Sequence, residues 1–199
     1  MLKIYIYFFI SILIHEIAHI MVAKIFKIKL KNLRVSIFGA SLEIEKKIRN
    51  KKIKKILMYL AGPISNLILA ILIQYANINE EEKIKIIYTN LSLCIFNLLP
   101  IMPLDGGNIL KEILKIKLNN INSNKTILAI SKINLFILTF VYSIAILKIK
   151  NITVFFLILY LWYLNFIEDK KFEIVEKTYK IVNKNLSKKE NKNKEKILQ

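Results

Sequence analysis

The chain has 199 residues, of which 55% are hydrophobic, and it carries a formal net charge of +18. A soluble domain this apolar would expose large adhesive patches, and a soluble basic protein would contain fewer apolar residues. A membrane protein accounts for both properties, because apolar residues lie in the lipid while Lys and Arg lie at its edges. The basic residues fall between and after apolar runs, which argues against nucleic acid as a partner.

Five apolar segments follow one another, at about residues 4–26, 56–76, 84–104, 127–147 and 152–167. A helix needs roughly 20 apolar residues to cross the hydrocarbon core. The first four segments reach this length, and the fifth is shorter but ends in aromatic residues typical of a membrane interface. We therefore predict an all-α polytopic membrane protein with about five transmembrane helices.

The stretch of residues 30–45 is too short and too poor in helical period to span a membrane. Residues 34–38 and 41–45 alternate in part between polar and apolar side chains, and Gly39 and Ala40 separate them. This pattern predicts a small β-hairpin between the first two transmembrane helices.

The loops predict how the chain is oriented in the cell membrane. Residues 24–55 contain twelve Lys or Arg, and the positive-inside rule places such a loop in the cytoplasm. Five spans then put the N-terminus outside and the C-terminus inside. We expect a membrane domain at residues 1–168, and a basic cytoplasmic tail at residues 169–199 that is partly disordered.

His15-Glu16-Ile17-Ala18-His19 lies in the middle of the first apolar segment. Residues four apart share one face of a helix, so both imidazoles can reach one metal ion at about 2.0–2.1 Å. Glu16 would lie beside the open coordination position, where it can accept a proton from water. The alternative is a group of polar residues paired at a helix contact. Three ionisable groups so close together are costly in lipid, which favours the metal.

A catalytic zinc site takes three protein ligands and leaves one position open. The chain has two histidines, so the third ligand must be a carboxylate or Cys94. Asp105 lies at the mouth of an apolar segment and is the better candidate, although it could instead cap the following helix. Cys94 is more simply interpreted as a buried structural thiol. We predict a zinc site formed by His15, His19 and Asp105.

Three motifs together resemble one known family. They are His15-Glu-Ile-Ala-His19, Ala61-Gly-Pro-Ile-Ser-Asn66 and Asn97-Leu-Leu-Pro-Ile-Met-Pro-Leu-Asp-Gly-Gly107. In this order they resemble the site-2 protease family of intramembrane zinc metalloproteases, and most closely the group of stage IV sporulation protein FB. The resemblance covers roughly residues 4–168. We expect this chain to lack the C-terminal nucleotide-sensing domain of that group, because the remaining tail is short.

The resemblance implies an endopeptidase that cleaves a membrane-anchored protein within or near its transmembrane segment, in the lipid bilayer. Regulated intramembrane proteolysis of this kind includes the processing of a pro-sigma factor in sporulation. The resemblance assigns Zn2+ binding to His15, His19 and Asp105, activation of water to Glu16, and substrate binding to Asn97. It also implies a hairpin that steers the substrate strand. Because water must reach the site, we expect an active site nearer the cytoplasmic face, where the basic loop lies.

Two other classes of function fit parts of the sequence. A membrane metal-ion transporter would use the same groups as a transit site, but it needs polar residues on both sides of that site. The outward half of the apolar segments offers few of them. A catalytically silent membrane scaffold would be expected to have lost Glu16 or one of the ligands, and all of them are present.

Overall fold

The computed structural model describes residues 2–28, 30–36, 39–44, 52–149 and 152–197. Within these ranges the elements follow in the order α1 (Leu2–Ile25), β1 (Leu30–Ser36), β2 (Gly39–Ile44), α2 (Lys52–Gln74), α3 (Glu80–Asn97), α4 (Asp105–Lys117), α5 (Asn120–Ile149) and α6 (Ile152–Ile197). The chain divides into two compact units, Met1–Ile137 and Leu138–Gln199.

Three helices in the described part of the chain are long and apolar enough to cross a membrane, at Lys3–Ile25, Lys52–Gln74 and Asn120–Ala145. They correspond to the first, second and fourth predicted spans. Large apolar side chains on all three, such as Phe9, Leu72 and Phe136, are more than half exposed. A soluble protein rarely exposes so much apolar surface, whereas a lipid-facing helix requires it.

The predicted number of five transmembrane helices is not confirmed. α3 has 18 residues, and its first turn carries Glu80, Glu81 and Glu82, so its apolar part is too short to cross the hydrocarbon core. In α6 the apolar residues end near residue 167, and charged residues follow. The predicted third span, residues 84–104, extends past the end of α3 at Asn97 into the loop before α4, which explains the difference.

The C-terminal tail, expected to be partly disordered, continues as part of α6 to Ile197. Lys and Glu side chains one turn apart form ion pairs along it, such as Lys177 Nζ with Glu173 Oε1 at 2.8 Å. Pairs at this spacing stabilise an exposed helix by a few tenths of a kcal/mol each, roughly 0.2–0.5. The division into a membrane domain at residues 1–168 and a separate tail stays a prediction.

Two short antiparallel strands lie between α1 and α2, in the segment where the sequence predicts a hairpin. β1 pairs with β2 so that Leu33 lies opposite Leu42 and Val35 opposite Ala40. The connecting residues 37 and 38 lie outside the described part of the chain.

The helices of the first unit pack around α2, which contacts α1, α3 and α4. Gly62 and Ala70 are buried on α2, and small residues of this kind let neighbouring helices approach closely in a membrane. Ala23, Ile28 and Met58 form a buried apolar cluster where the end of α1 meets the start of α2. α2 is therefore the element against which the site residues of the other helices are placed.

Candidate metal centre

α1 carries His15 and His19 on one face, one helical turn apart. Both side chains are buried, with 5% and 4% of their surface exposed, and their ring centroids lie 4.8 Å apart. His15 Nε2 lies 3.0 Å from Asp105 Oδ2, and His19 Nε2 lies 3.2 Å from the same oxygen. One ligand atom from each of the three residues falls within 4.8 Å of the others. The structure thus brings together the three residues that the sequence analysis selected.

Asp105 is the first residue of α4, and its carboxylate faces the histidines of α1. The residue before it, Leu104, occupies the N-cap position, and no side-chain hydrogen bond caps the helix. The alternative in which Asp105 caps α4 is therefore not what the structure shows. A Cβ atom on Gly106 would lie 2.1 Å from the Leu98 carbonyl oxygen, so glycine is needed for the preceding loop to fold back onto α4.

The loop that leads into Asp105 is anchored to α5 by Ser131. The Met102 backbone N–H donates to Ser131 Oγ at 2.9 Å, and Ser131 Oγ donates to the Ile127 carbonyl at 2.8 Å. Asn108 Nδ2 also donates to the Pro103 carbonyl at 2.8 Å. The sequence analysis missed Ser131, whose only signal was a small polar residue within an apolar helix.

His19 is oriented by a backbone group of α2. Its Nδ1 lies 2.7 Å from the Met58 carbonyl oxygen, which can only accept a hydrogen bond, so Nδ1 carries the proton. In the neutral imidazole His19 Nε2 then carries no proton, as a metal ligand requires. Metal-binding histidines commonly have this arrangement, in which the second ring nitrogen donates to a carbonyl or carboxylate.

Gly62 lets both imidazoles lie directly against the backbone of α2. A Cβ atom built on Gly62 would lie 2.4 Å from His19 Nε2 and 2.5 Å from His15 Nε2, so any side chain there would displace at least one of these nitrogens. Asp105 Oδ2 lies 3.0 Å from His15 Nε2 and 3.2 Å from His19 Nε2. Two ligand atoms of one tetrahedral zinc ion are roughly 3.3 Å apart, since each lies about 2.0–2.1 Å from the metal. Two imidazoles and one carboxylate also form the ligand set of one class of catalytic zinc site, so the donor atoms and their separations fit a zinc ion.

The remaining predicted residues lie at different positions. Glu16 follows the first histidine on α1 and is partly buried. Asn97 ends α3, and its Nδ2 donates to the Leu93 carbonyl at 3.1 Å, within its own helix. Cys94 is buried, and within the described residues it is not part of the metal-binding group.

Asn66 is a further polar residue on the face of α2 that carries Gly62, one helical turn away. Its surface is 0% exposed, and within the described part of the chain neither amide atom has a hydrogen-bond partner. A buried polar atom without a partner costs about 1–3 kcal/mol, so such atoms often serve a ligand. The sequence analysis used the motif that contains Asn66 only as one of the three that carry the family resemblance.

Known proteins share sequence and fold with this chain. The sequence profile described as Peptidase family M50 matches residues 3–80 and 84–141. The chain is 31% identical over 136 residues to a zinc metalloprotease of Methanocaldococcus jannaschii, an alignment that covers 64% of this chain and 39% of that protein. It is also 31% identical over 103 residues to stage IV sporulation protein FB of Bacillus subtilis, covering 50% of this chain and 36% of that protein. The chain therefore spans less than half the length of these curated relatives.

The fold is similar to that of a solved site-2 protease from Methanocaldococcus jannaschii, with a TM-score of 0.65 and 27% sequence identity. This similarity covers 82% of this chain and 76% of that one. The resemblance predicted from the three motifs is confirmed. Because the family profile matches more than half of its residues, this chain is a membrane protein that belongs to peptidase family M50, the site-2 protease family.

Proposed function

We propose that this chain is a zinc-dependent endopeptidase that cleaves membrane-anchored proteins. The observation that carries the proposal is the convergence of His15, His19 and Asp105, with both imidazoles packed against the backbone of α2 at Gly62. The similarity to relatives named as zinc metalloproteases supports both the metal and the reaction. A binding site without chemistry would not need a carboxylate such as Glu16 next to its first ligand.

In the mechanism we propose, His15, His19 and Asp105 hold the zinc ion, which when bound polarises the scissile carbonyl and acidifies a water molecule. Glu16 accepts the proton from the attacking water and returns it to the leaving amine. The buried amide of Asn66 offers one donor and one acceptor to the substrate backbone. Asn97 is a second candidate for substrate contact, and its Nδ2 would have to leave the Leu93 carbonyl to take part.

The position of the site along α1 and α2 supports an active site nearer the cytoplasmic face. His19 precedes Ile25, the last residue of α1, by a distance of about 9 Å along the helix, since each residue rises 1.5 Å. Gly62 follows Lys52, the first residue of α2, by about 15 Å. Both helix ends adjoin the basic loop, which the positive-inside rule places in the cytoplasm. We infer a multi-pass protein of the cell membrane with this topology.

The substrate class follows from the depth of the site. Carbonyl groups within a helix accept backbone hydrogen bonds, so a substrate helix must unwind locally before its peptide bond can reach the site. More specifically, we propose that the substrate is a pro-sigma factor that is processed during sporulation. The support for this is the similarity to stage IV sporulation protein FB.

The test compares the wild type with Glu16→Gln, both purified in detergent. Zinc is measured by mass spectrometry, and cleavage is followed by immunoblot on a panel of co-expressed membrane-tethered test proteins. We expect about one zinc per chain in both proteins and cleavage by the wild type alone. Glu80→Gln, exposed on the first turn of α3, is the matched control and should behave as the wild type. An absence of zinc from both proteins, or cleavage by Glu16→Gln at the wild-type rate, would refute the proposal.

A further inference from the structure

A buried ion pair joins α4 to α2 away from the metal centre. Glu112 on α4 is 5% exposed, and its Oε1 lies 2.5 Å from Lys115 Nζ and 3.9 Å from Lys55 Nζ. Lys55 belongs to α2, and its neighbour Lys52 donates a hydrogen bond to the Lys115 carbonyl near the end of α4. Two lysines from the start of α2 therefore hold the last turns of α4.

The ion pair and the metal centre lie on the same two helices at matched positions. Lys55 precedes Gly62 by seven residues on α2, and Glu112 follows Asp105 by seven residues on α4. Because Gly62 lies beside the Asp105 site and Lys55 lies beside Glu112, the two helices run antiparallel. Each interval corresponds to about 10.5 Å along the helix axis, or two turns.

We propose that Lys55 and Glu112 are a positioning pair that sets where α4 lies along α2 and thereby places the Asp105 carboxylate at the metal. The proposal rests on the metal role of Asp105 described above. The loop anchored by Ser131 holds only the beginning of α4, a helix of 13 residues, so its other end needs a second point of attachment.

The Asp105 carboxylate must be placed accurately at the metal, and this requires a specific contact between α4 and α2. A slip of one residue would move Asp105 by about 1.5 Å along the axis and rotate it by about 100°. Zinc sites hold their ligand distances within about 0.2 Å, so no such slip is compatible with binding. Glu112 would keep Lys115 if α4 moved, but the Lys55 side chain, which is 16% exposed, would lose its carboxylate. A buried charge is costly unless it is paired, so positions of α4 that separate Glu112 from Lys55 are disfavoured.

The test measures zinc affinity across a double-mutant cycle made of Glu112→Gln, Lys55→Met and the double variant. The full chain is purified in detergent, and affinity is measured by competition with a chromophoric chelator. The absorption spectrum of the Co2+-substituted protein reports the coordination geometry, and thermal unfolding without metal reports stability. Lys54→Met is the matched control, because Lys54 lies over the Phe26 ring, 5.4 Å from its centroid, instead of beside Glu112.

We expect either single substitution to weaken zinc binding roughly 10–100-fold, as for other residues that orient a ligand, and to alter the Co2+ spectrum. The double variant should be weakened by less than the product of the two single effects, while Lys54→Met binds as the wild type does. A pair that only stabilises the fold would change thermal unfolding and leave zinc affinity and the Co2+ spectrum unchanged, and that result would overturn the inference. Failure of the wild type to bind zinc would instead refute the proposed function, so the two failures are distinguishable.

Discussion

Substitution of Gly62 by alanine tests whether His15 and His19 bind the metal in the position where they pack against α2. The added methyl group would lie 2.4 Å from His19 Nε2 and 2.5 Å from His15 Nε2. Ordinary carbon contacts begin near about 3.5 Å, so the methyl group overlaps both nitrogen atoms by roughly 1 Å. Without metal, the ends of both imidazole rings can turn away from it. With metal they cannot, because both nitrogens must remain about 2.0–2.1 Å from the ion.

We expect Gly62→Ala to weaken zinc binding more than does substitution of a residue that only orients a ligand. Residues that merely orient a ligand change zinc affinity by roughly 10–100-fold, whereas Gly62→Ala must displace at least one of the two histidine ligands. We therefore expect zinc affinity to fall by more than about 100-fold, which corresponds to about 2.8 kcal/mol. Stability without metal should change little, because alanine favours a helix over glycine by about 1 kcal/mol and offsets part of the cost of moving the rings.

The assay is competition for zinc with a chelating indicator in detergent, combined with thermal unfolding of the metal-free protein. Ile64→Ala, at an exposed position two residues further along α2, is the control and should bind zinc normally. A Gly62→Ala protein that binds zinc with wild-type affinity and an unchanged Co2+ spectrum would refute the reasoning. The metal would then lie elsewhere, and the approach of His15 and His19 to α2 would be ordinary helix packing.

Three further substitutions separate binding, chemistry and folding. Asn66→Leu should retain zinc and fold stably, because apolar atoms replace two buried polar ones. If the amide binds the reacting carbonyl, kcat should fall about 100-fold. An unchanged kcat in a cleavage assay would remove Asn66 from the mechanism. Ser131→Ala leaves the buried Met102 N–H without its acceptor, so the free energy of unfolding should fall by about 1–3 kcal/mol in thermal melts, and Ser131→Thr should recover part of it. Cys94→Ala should leave zinc content and cleavage unchanged; loss of zinc on mass spectrometry would show that the thiol is a ligand after all.

The parts of the fold that depend on continuous apolar length could be predicted from the sequence. α1, α2 and α5 each contain a predominantly apolar run, and all three reach spanning length. The end of α3 was harder to predict, because the apolar residues continue beyond Asn97 into a loop. The start of α4 at Asp105 depends on that loop folding back onto Gly106, a contact that the sequence does not reveal.

The site was predictable to the extent that it is local in sequence. His15, Glu16 and His19 lie on one turn of one helix, so the helical period alone places both imidazoles on the same face. The contribution of α2 could not be predicted in this way, because Gly62 contributes only the lack of a side chain and Met58 contributes a backbone carbonyl oxygen. The close approach of the histidines to α2 exists only once the helices are packed, so no pattern within one segment can reveal it. The same reasoning explains why Glu112 resembles an ordinary helix charge in the sequence and acquires a partner on α2 only in the folded protein.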